Sequence, residues 1–217
     1  MRRGFLLVVS GPSGVGKNRL ISELRKRMPD ILYSVSATTR QPRPGEVHGV
    51  DYYFMSDEEF TRWVEEDRFL EWAEYCGRRY GTPLLFIEEA LAQGHTVALD
   101  VETQGAVRIR QRVPEAVLVF VMPPSLAELR HRLERRGTEA DEAILKRLQS
   151  AAEELEKVKD YDYVVLNDSL EAAVGALAAI VQAERLRVHR SDYSDLLASI
   201  HAEAERLKPC PGRINSD

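Results

Sequence analysis

The segment GPSGVGKNRL, Gly11 to Leu20, follows most of the pattern of a phosphate-binding loop. That pattern is Gly, four residues, Gly, Lys and then Ser or Thr. An apolar run, GFLLVVS from Gly4 to Ser10, precedes it and is typical of a strand buried on both faces of a parallel sheet. From Lys17 to Met28, apolar residues recur at helical spacing until Pro29 ends the pattern. This strand–loop–helix context predicts a nucleotide-binding loop rather than a structural glycine turn.

The composition narrows the class of protein and of partner. The chain has 217 residues, 44% of them hydrophobic, which suits a single core with insertions. Its formal net charge of -5 argues against a general nucleic-acid binder. Two distant cysteines form no metal-site spacing and favour a reducing, cytoplasmic setting. The run from Phe5 to Val9 is too short for a signal peptide, and no stretch is long enough to span a membrane, so no membrane partner is expected.

Strand-like and helix-like stretches alternate along most of the chain. Further apolar runs at His95–Val101, Ala116–Pro123 and Asp162–Asp168 resemble buried strands. Helical patterns lie at Gln104–Arg112, Leu126–Arg136, Ala140–Lys159 and Leu170–Arg190. The alternation predicts an α/β fold of the P-loop NTPase type, in which helices flank a parallel sheet.

The segment from Ser34 to Tyr80 breaks this alternation and predicts an inserted small subdomain. A helix from Ser56 to Asp67 should begin with a capping box, and a second helix is expected at Leu84–Gln93. We therefore expect a core of residues 1–36 and 91–190, a subdomain of residues 37–90, and a C-terminal helix with a flexible tail in residues 191–217. Apolar residues at helical spacing in Ser191–Leu207 are expected to pack on the chain's own core, the alternative being a second subunit.

Two arginines in a stiff loop suggest a second phosphate site. Arg40 and Arg43 lie among prolines and a glycine, an arrangement that suits one dianionic phosphate, and Tyr52 can add a phenolic donor. Such a loop would by itself more often be a solvated basic surface. Beside a phosphate-binding loop, it suggests an acceptor nucleotide.

Several acidic residues have positions that suit a ligand. Glu71 lies among apolar and aromatic neighbours, and a carboxylate in a cleft can pair with N1–H and the exocyclic amine of guanine. A lone Glu in such a segment is otherwise a surface residue. Asp100, followed by Glu102, ends an apolar strand at the edge where ligands bind in parallel sheets, and can hold Mg2+ or its waters. The alternative for Asp100 is an ordinary acid at the end of a strand.

Four arginines cluster around a possible break between two helices. They are Arg132, Arg135, Arg136 and Arg147, with Gly137 and Thr138 between the helices. Helix, glycine break and helix are typical of a mobile lid, at about residues 132–149, which can bring charge to a transferring phosphoryl group. For any single arginine, an ordinary helix surface is the simpler interpretation.

Together these segments resemble guanylate kinase. The motifs, in order, are GPSGVGK, SVSATTRQPRPGEVHGVDYYF, FLEWAEYCGRRYGT, ALDVETQGA, RLERRGTE and VVLND. The resemblance extends from Phe5 to about Arg190, and the segment from Ser34 to Phe54 is its most specific part. It implies Mg2+-dependent phosphoryl transfer from ATP to GMP or dGMP, giving ADP and GDP or dGDP.

The resemblance also implies a role for each matching residue. ATP is bound by Gly11, Pro12, Ser13, Gly14, Val15, Gly16, Lys17, Asn18 and Asn167. The GMP phosphate is bound by Arg40, Arg43, Tyr52 and Tyr80, and guanine by Ser36, Glu71 and Thr82. Asp100 lies near GMP and the metal. The metal is held by Asn18 and Asp100, directly or through water. The catalytic residues are Lys17, Arg40, Arg136, Arg147 and Asp100.

The chain departs from this family after Lys17. Relatives usually have Ser or Gly there and then often Thr, whereas this chain has Asn18 and Arg19. An amide oxygen can ligate Mg2+, but the side chain is longer and its donor end must be placed elsewhere. We therefore expect an active enzyme that handles Mg2+ and ATP somewhat less well.

Two other functions fit parts of the pattern. One is a catalytically weak guanylate-kinase-like module that binds phosphopeptides in the GMP cleft, although such modules usually lose the phosphate-binding loop. The other is a kinase of the same fold that acts on a phosphorylated sugar, which would not need Glu71 or Thr82. The sequence leaves open whether the protein is a monomer or a homodimer.

Overall fold

The computed structural model describes residues 3–75, 77–134 and 141–207. The strands in these ranges are β1 (Phe5–Ser10), β2 (Ile31–Tyr33), β3 (Ala37–Thr38), β4 (Tyr53–Phe54), β5 (Phe69–Tyr75), β6 (Arg78–Pro83), β7 (Thr96–Asp100), β8 (Val117–Met122) and β9 (Tyr163–Leu166). The helices are α1 (Lys17–Arg27), α2 (Asp57–Glu65), α3 (Leu84–Ala92), α4 (Thr103–Arg112), α5 (Leu126–Glu134), α6 (Asp141–Leu155), α7 (Leu170–Arg185) and α8 (Ser194–Leu207).

A parallel sheet of five strands forms the centre of the fold, in the order β2-β7-β1-β8-β9. All six residues of β1 are buried. Because side chains alternate along a strand, Phe5, Leu7 and Val9 pack with α1 and α7, while Leu6 and Val8 pack with α3 and α4. The predicted α/β fold, a parallel sheet between layers of helices, is confirmed.

Two elements of the core differ from the prediction. Strand β2 was not predicted, because its three residues, Ile31–Tyr33, are too few to show a period. Helix α7 ends at Arg185, before the predicted end at Arg190. The chain turns back after the helix, so that the buried Arg190 pairs with Glu184 (3.2 Å) and donates to the Glu115 carbonyl (3.1 Å). Its guanidinium also lies 4.6 Å from the ring centre of Phe5.

A second sheet, in the order β4-β3-β6-β5, is formed within the predicted insertion. Strands β5 and β6 pair as an antiparallel hairpin, and β3 pairs with β6 in the same sense. Helix α2 covers this sheet, with the buried Phe60 stacked 4.6 Å from Phe69. The N-cap of the predicted capping box is confirmed, because the Ser56 hydroxyl accepts from the Glu59 amide (3.1 Å). The subdomain boundaries at residues 37 and 90 stay a prediction.

The C-terminal helix is formed, but the expectation that it packs on the chain's own core is wrong. Helix α8 has no buried residue, and Leu196, Leu197 and Ile200 are each about half exposed (56%, 52% and 49%). No residue of α8 belongs to the hydrophobic core clusters of the described residues. The predicted flexible tail, residues 208–217, lies outside the described residues. In the described ranges, every helix is too short or too polar to cross a bilayer.

Candidate active site

The glycine loop between β1 and α1 has the backbone shape that its sequence requires. Gly11, Gly14 and Gly16 have φ angles of 139°, 89° and 102°, values that favour glycine. At Gly11 a Cβ would also lie 2.3 Å from the carbonyl oxygen of Val121 in β8. No acidic residue lies in the first turn of α1, so its positive end is left for an anion.

Lys17 lies over this loop and is buried, with 7% of its surface exposed. Its Nζ donates to the Gly11 carbonyl oxygen (2.8 Å). The same atom lies 3.8 Å from Asp100 Oδ1 and 4.0 Å from Glu102 Oε1. The structure thus brings Lys17 of one sequence motif together with the two acids of another. It does so because β1 pairs with β7, which puts Val9 opposite Asp100.

The acids around Lys17 repel one another. Burial raises the pKa of Asp100 to about 6, the charge of Lys17 opposes this shift, and Glu102 adds to it. Sequence reasoning missed Glu154 on α6, whose pKa is raised by burial, and further by Glu102, to about 7. A single glutamate on a helix carries no signal in the sequence, because only the fold shows that its Oε2 is buried.

This charge balance suits a divalent cation that binds together with phosphates. Lys17 alone does not compensate the nearby carboxylates, and oxygen ligands are those that Mg2+ prefers. Asn18, the other predicted ligand, is exposed in the first turn of α1. Within the described ranges, no three His, Cys, Asp or Glu side chains form a metal site. A Mg2+ ion at this position would therefore take most of its ligands from a nucleotide and from water.

Polar side chains from three elements hold the glycine loop. The Val15 carbonyl accepts from Asn167 Nδ2 (2.7 Å) and from Arg132 Nη1 (3.2 Å). Arg132 Nη2 also donates to the Asn167 carbonyl (2.9 Å), and Arg147 Nη2 donates to Ser13 Oγ (2.5 Å). Arg132 was noted in the arginine cluster without a role, and its hold on the loop was missed. Arg135 and Arg136, the remaining arginines of the predicted cluster, lie outside the described residues.

Arg40 is fixed by a carboxylate that the sequence analysis overlooked. Its guanidinium donates to both oxygens of Glu46, at 2.9 Å each, and this bond raises the pKa of Arg40. The guanidinium lies 5.3 Å from the ring centre of Tyr52, and the rings of Tyr52 and Tyr80 are 6.2 Å apart. Arg43 is exposed, and its backbone N–H, rather than its guanidinium, donates to Glu46 (2.7 Å).

Tyr52 is half-buried beside Arg40. Burial raises the pKa of its phenol to about 12, and the charge of Asp100 is the next cause.

Two of the three predicted guanine contacts meet across the second sheet. Glu71 and Thr82 are opposite each other in β5 and β6, and Glu71 Oε1 accepts from Thr82 Oγ1 (2.8 Å). Burial raises the pKa of Glu71, and the Thr82 bond opposes that shift. Ser36 is half-buried just before β3, where its carbonyl accepts from the Tyr53 amide (2.9 Å).

Comparison with known proteins gives one consistent result. The guanylate kinase family model matches residues 3–184. Guanylate kinase of Desulfitobacterium hafniense is 54% identical over 190 residues, covering 88% of this chain and 95% of the relative. That of Halalkalibacterium halodurans is 53% identical over 188 residues, covering 87% and 92%. The crystal structure of guanylate kinase from Anaplasma phagocytophilum superimposes with a TM-score of 0.77 at 33% identity, covering 91% of this chain and 95% of that one. This chain belongs to the guanylate kinase family.

Proposed function

We propose that this chain transfers the γ-phosphoryl group of ATP to GMP or dGMP in a Mg2+-dependent reaction, giving ADP and GDP or dGDP. The observation that carries the proposal is the position of Asp100. Its carboxylate lies 3.8 Å from Lys17 at the phosphate-binding loop, and its charge also acts on Tyr52 beside Arg40. Both observations support a donor site for one set of phosphates beside Lys17 and an acceptor phosphate site around Arg40 within reach of it.

The donor side uses the loop and the lysine. The backbone amides from Gly14 to Lys17 and the start of α1 would hold the ATP phosphates. Lys17 has three donor protons, and one is taken by Gly11, so two are available for phosphate oxygens. Asn167 and the Val15 carbonyl form the side of the loop on which adenine would lie.

The acceptor side uses the second sheet. Arg40, Arg43, Tyr52 and Tyr80 would bind the GMP phosphate. Ser36, Glu71 and Thr82 would bind guanine, the Glu71 carboxylate accepting from N1–H and the exocyclic amine.

The transfer needs no strong base, because an oxygen of the GMP phosphate is already anionic near neutral pH. The difficulty is to align two polyanions and to compensate the charge that develops between them. Lys17, Arg40 and Arg147 would supply positive charge, joined by Arg136 from the proposed lid at about residues 132–149. Mg2+, held with ATP near Asn18 and Asp100, would compensate charge on the outer phosphates. Closure of the lid would exclude water and prevent wasteful hydrolysis of ATP.

Incubation with ATP, Mg2+ and one nucleoside monophosphate at a time tests this function. We expect ADP and the diphosphate to form with GMP and dGMP, to remain at background with AMP, CMP and UMP, and to disappear when EDTA removes the metal. A phosphopeptide-binding module or a sugar-phosphate kinase would leave GMP unphosphorylated. That result would overturn the proposal.

Substitution of Asn18 by serine tests the departure in the loop. A serine hydroxyl can ligate Mg2+ and, unlike asparagine, carries no N–H2 group that needs a separate hydrogen-bond partner. Asn18→Ser is therefore expected to lower the Mg2+ concentration for half-maximal activity roughly threefold. The measurement is a Mg2+ titration at saturating ATP and GMP. Ser22→Ala, which removes an exposed hydroxyl from the same helix, is the control and should leave the titration unchanged. The same midpoint for Asn18→Ser and the wild type would refute this account of Asn18.

A further inference from the structure

Helix α4 contains a glycine at the point where it meets Glu71. Glycine is less favourable than alanine inside a helix, so its presence calls for a reason. A Cβ at Gly105 would lie 2.9 Å from Glu71 Oε2 and 3.2 Å from its Cδ. The carboxylate thus occupies the space of a side chain, against the first turn of α4, where the helix dipole favours negative charge.

Two arginines further along α4 hold the strand that carries Glu71. Arg108 Nη1 donates to the carbonyl of Trp72, the residue after Glu71. Arg112 Nη1 donates to the carbonyl of Phe69, two residues before it (2.9 Å). The helix therefore binds β5 on both sides of the carboxylate.

The backbone of β5 is irregular at this point. The register with β6 shifts between Phe69 and Glu71, and such a shift changes the direction of the side chains that follow. The turn before the strand includes Asp67, which has a φ of 51° and whose carboxylate accepts from both Nη atoms of Arg112 (3.0 and 2.6 Å). Arg112 thus holds both the turn and the irregular start of the strand.

These polar contacts add to the apolar packing of Leu70 with Ala106 and Ile109 in joining α4 to β5. A groove of about 480 Å3 opens between the two elements and is lined by Glu71, Arg108 and Arg112 among others. Burial raises the pKa of Glu71, and the charge of Arg108 acts in the opposite direction, toward the ionised carboxylate.

We propose that α4 positions the Glu71 carboxylate for guanine, with Gly105 as a specificity-determining residue and Arg108 and Arg112 as positioning residues. The inference rests on the proposed role of Glu71. It assigns guanine selectivity to α4, a helix that packs on the five-stranded sheet, although α4 need not touch the base. Since α4 begins just after Glu102, the helix that packs against the guanine carboxylate follows directly in the chain from the acids beside Lys17.

The test compares GMP with IMP, which lacks the exocyclic amine that Glu71 would bind. Gly105→Ala and the double variant Arg108→Ala/Arg112→Ala are expected to lower the ratio of kcat/KM for GMP to kcat/KM for IMP about tenfold. The loss should lie in KM for GMP, with KM for ATP within twofold of the wild type. Arg108→Lys keeps a positive charge and a donor, and should recover part of the ratio.

Arg110→Ala is the matched control, because Arg110 is on the same helix but bonds to Pro114 and Asp162. It should leave the GMP to IMP ratio unchanged. A purely structural role would lower the melting temperature and would lower kcat for GMP and for IMP by the same factor, so that the GMP to IMP ratio stays constant. This result would overturn the inference. If Gly105→Ala does not fold, the arginine variants, which remove partly exposed side chains, decide the question. Failure of the wild type to phosphorylate GMP would instead refute the proposed function.

Discussion

Replacement of Lys17 by methionine is expected to lower kcat about a thousandfold, which corresponds to about 4 kcal/mol of transition-state stabilisation. Methionine keeps the apolar stem in its buried position but removes the ammonium that lies between the Gly11 carbonyl and two carboxylates. The transferring phosphoryl group would then face Asp100 and Glu102 without the nearest compensating charge. Loss of that charge would also raise the pKa of Asp100 further, because Lys17 opposes the effect of burial.

The measurement is kcat at saturating ATP and GMP, together with a thermal unfolding curve to show that the variant is folded. Lys26→Met is the matched control, since Lys26 is an exposed lysine on the same helix that pairs with Glu23 (2.7 Å). It should retain wild-type activity. A loss of less than tenfold in Lys17→Met would contradict the assignment of Lys17 to the transferred phosphoryl group.

The second large effect is expected at Glu71. Glu71→Gln should lower kcat/KM for GMP by about two to three orders of magnitude, because an amide N–H2 would face the donors of guanine and leave buried polar groups unpaired. The proposed ATP site lies at the other sheet, so KM for ATP should stay within twofold of the wild type. The loss should exceed that of Gly105→Ala, which displaces the carboxylate without removing it.

Steady-state kinetics with each substrate varied in turn measure both constants. Glu74→Gln is a suitable control, because Glu74 is an exposed carboxylate on the same strand. It should leave both constants unchanged. An equal loss for ATP and GMP in Glu71→Gln would argue against a guanine contact.

The parts of the fold that the sequence predicted are those with a long local signal. The apolar run of β1 and the helical spacing of α1 each extend over enough residues to show their period, and the glycines between them have a shape that no other residue adopts easily. Strand β2 has three residues and no period to detect. The spacing in α8 predicted a helix correctly, but periodicity does not say whether an apolar face has a surface to cover.

In the candidate site, too, residues with a local sequence signal were predicted and residues without one were missed. Residues in contiguous motifs, such as Lys17, were identified because their neighbours in sequence are also their neighbours in space. Glu154 was missed because only the packing of α6 buries it near Lys17. Glu46 is six residues from Arg40 and could have been found by asking which carboxylate in the same loop balances the charge of this guanidinium.

The buried pair of Arg190 and Glu184 has a consequence for where this chain can be shortened. The family match stops at residue 184, yet the guanidinium that this glutamate needs follows six residues later (190 minus 184). Truncation at the family boundary would leave this buried carboxylate with the Tyr163 hydroxyl (2.7 Å) but without a compensating cation, a defect that costs about 3–5 kcal/mol. The smallest autonomous unit therefore ends at Arg190 or beyond, although no residue past 167 is proposed to touch a nucleotide.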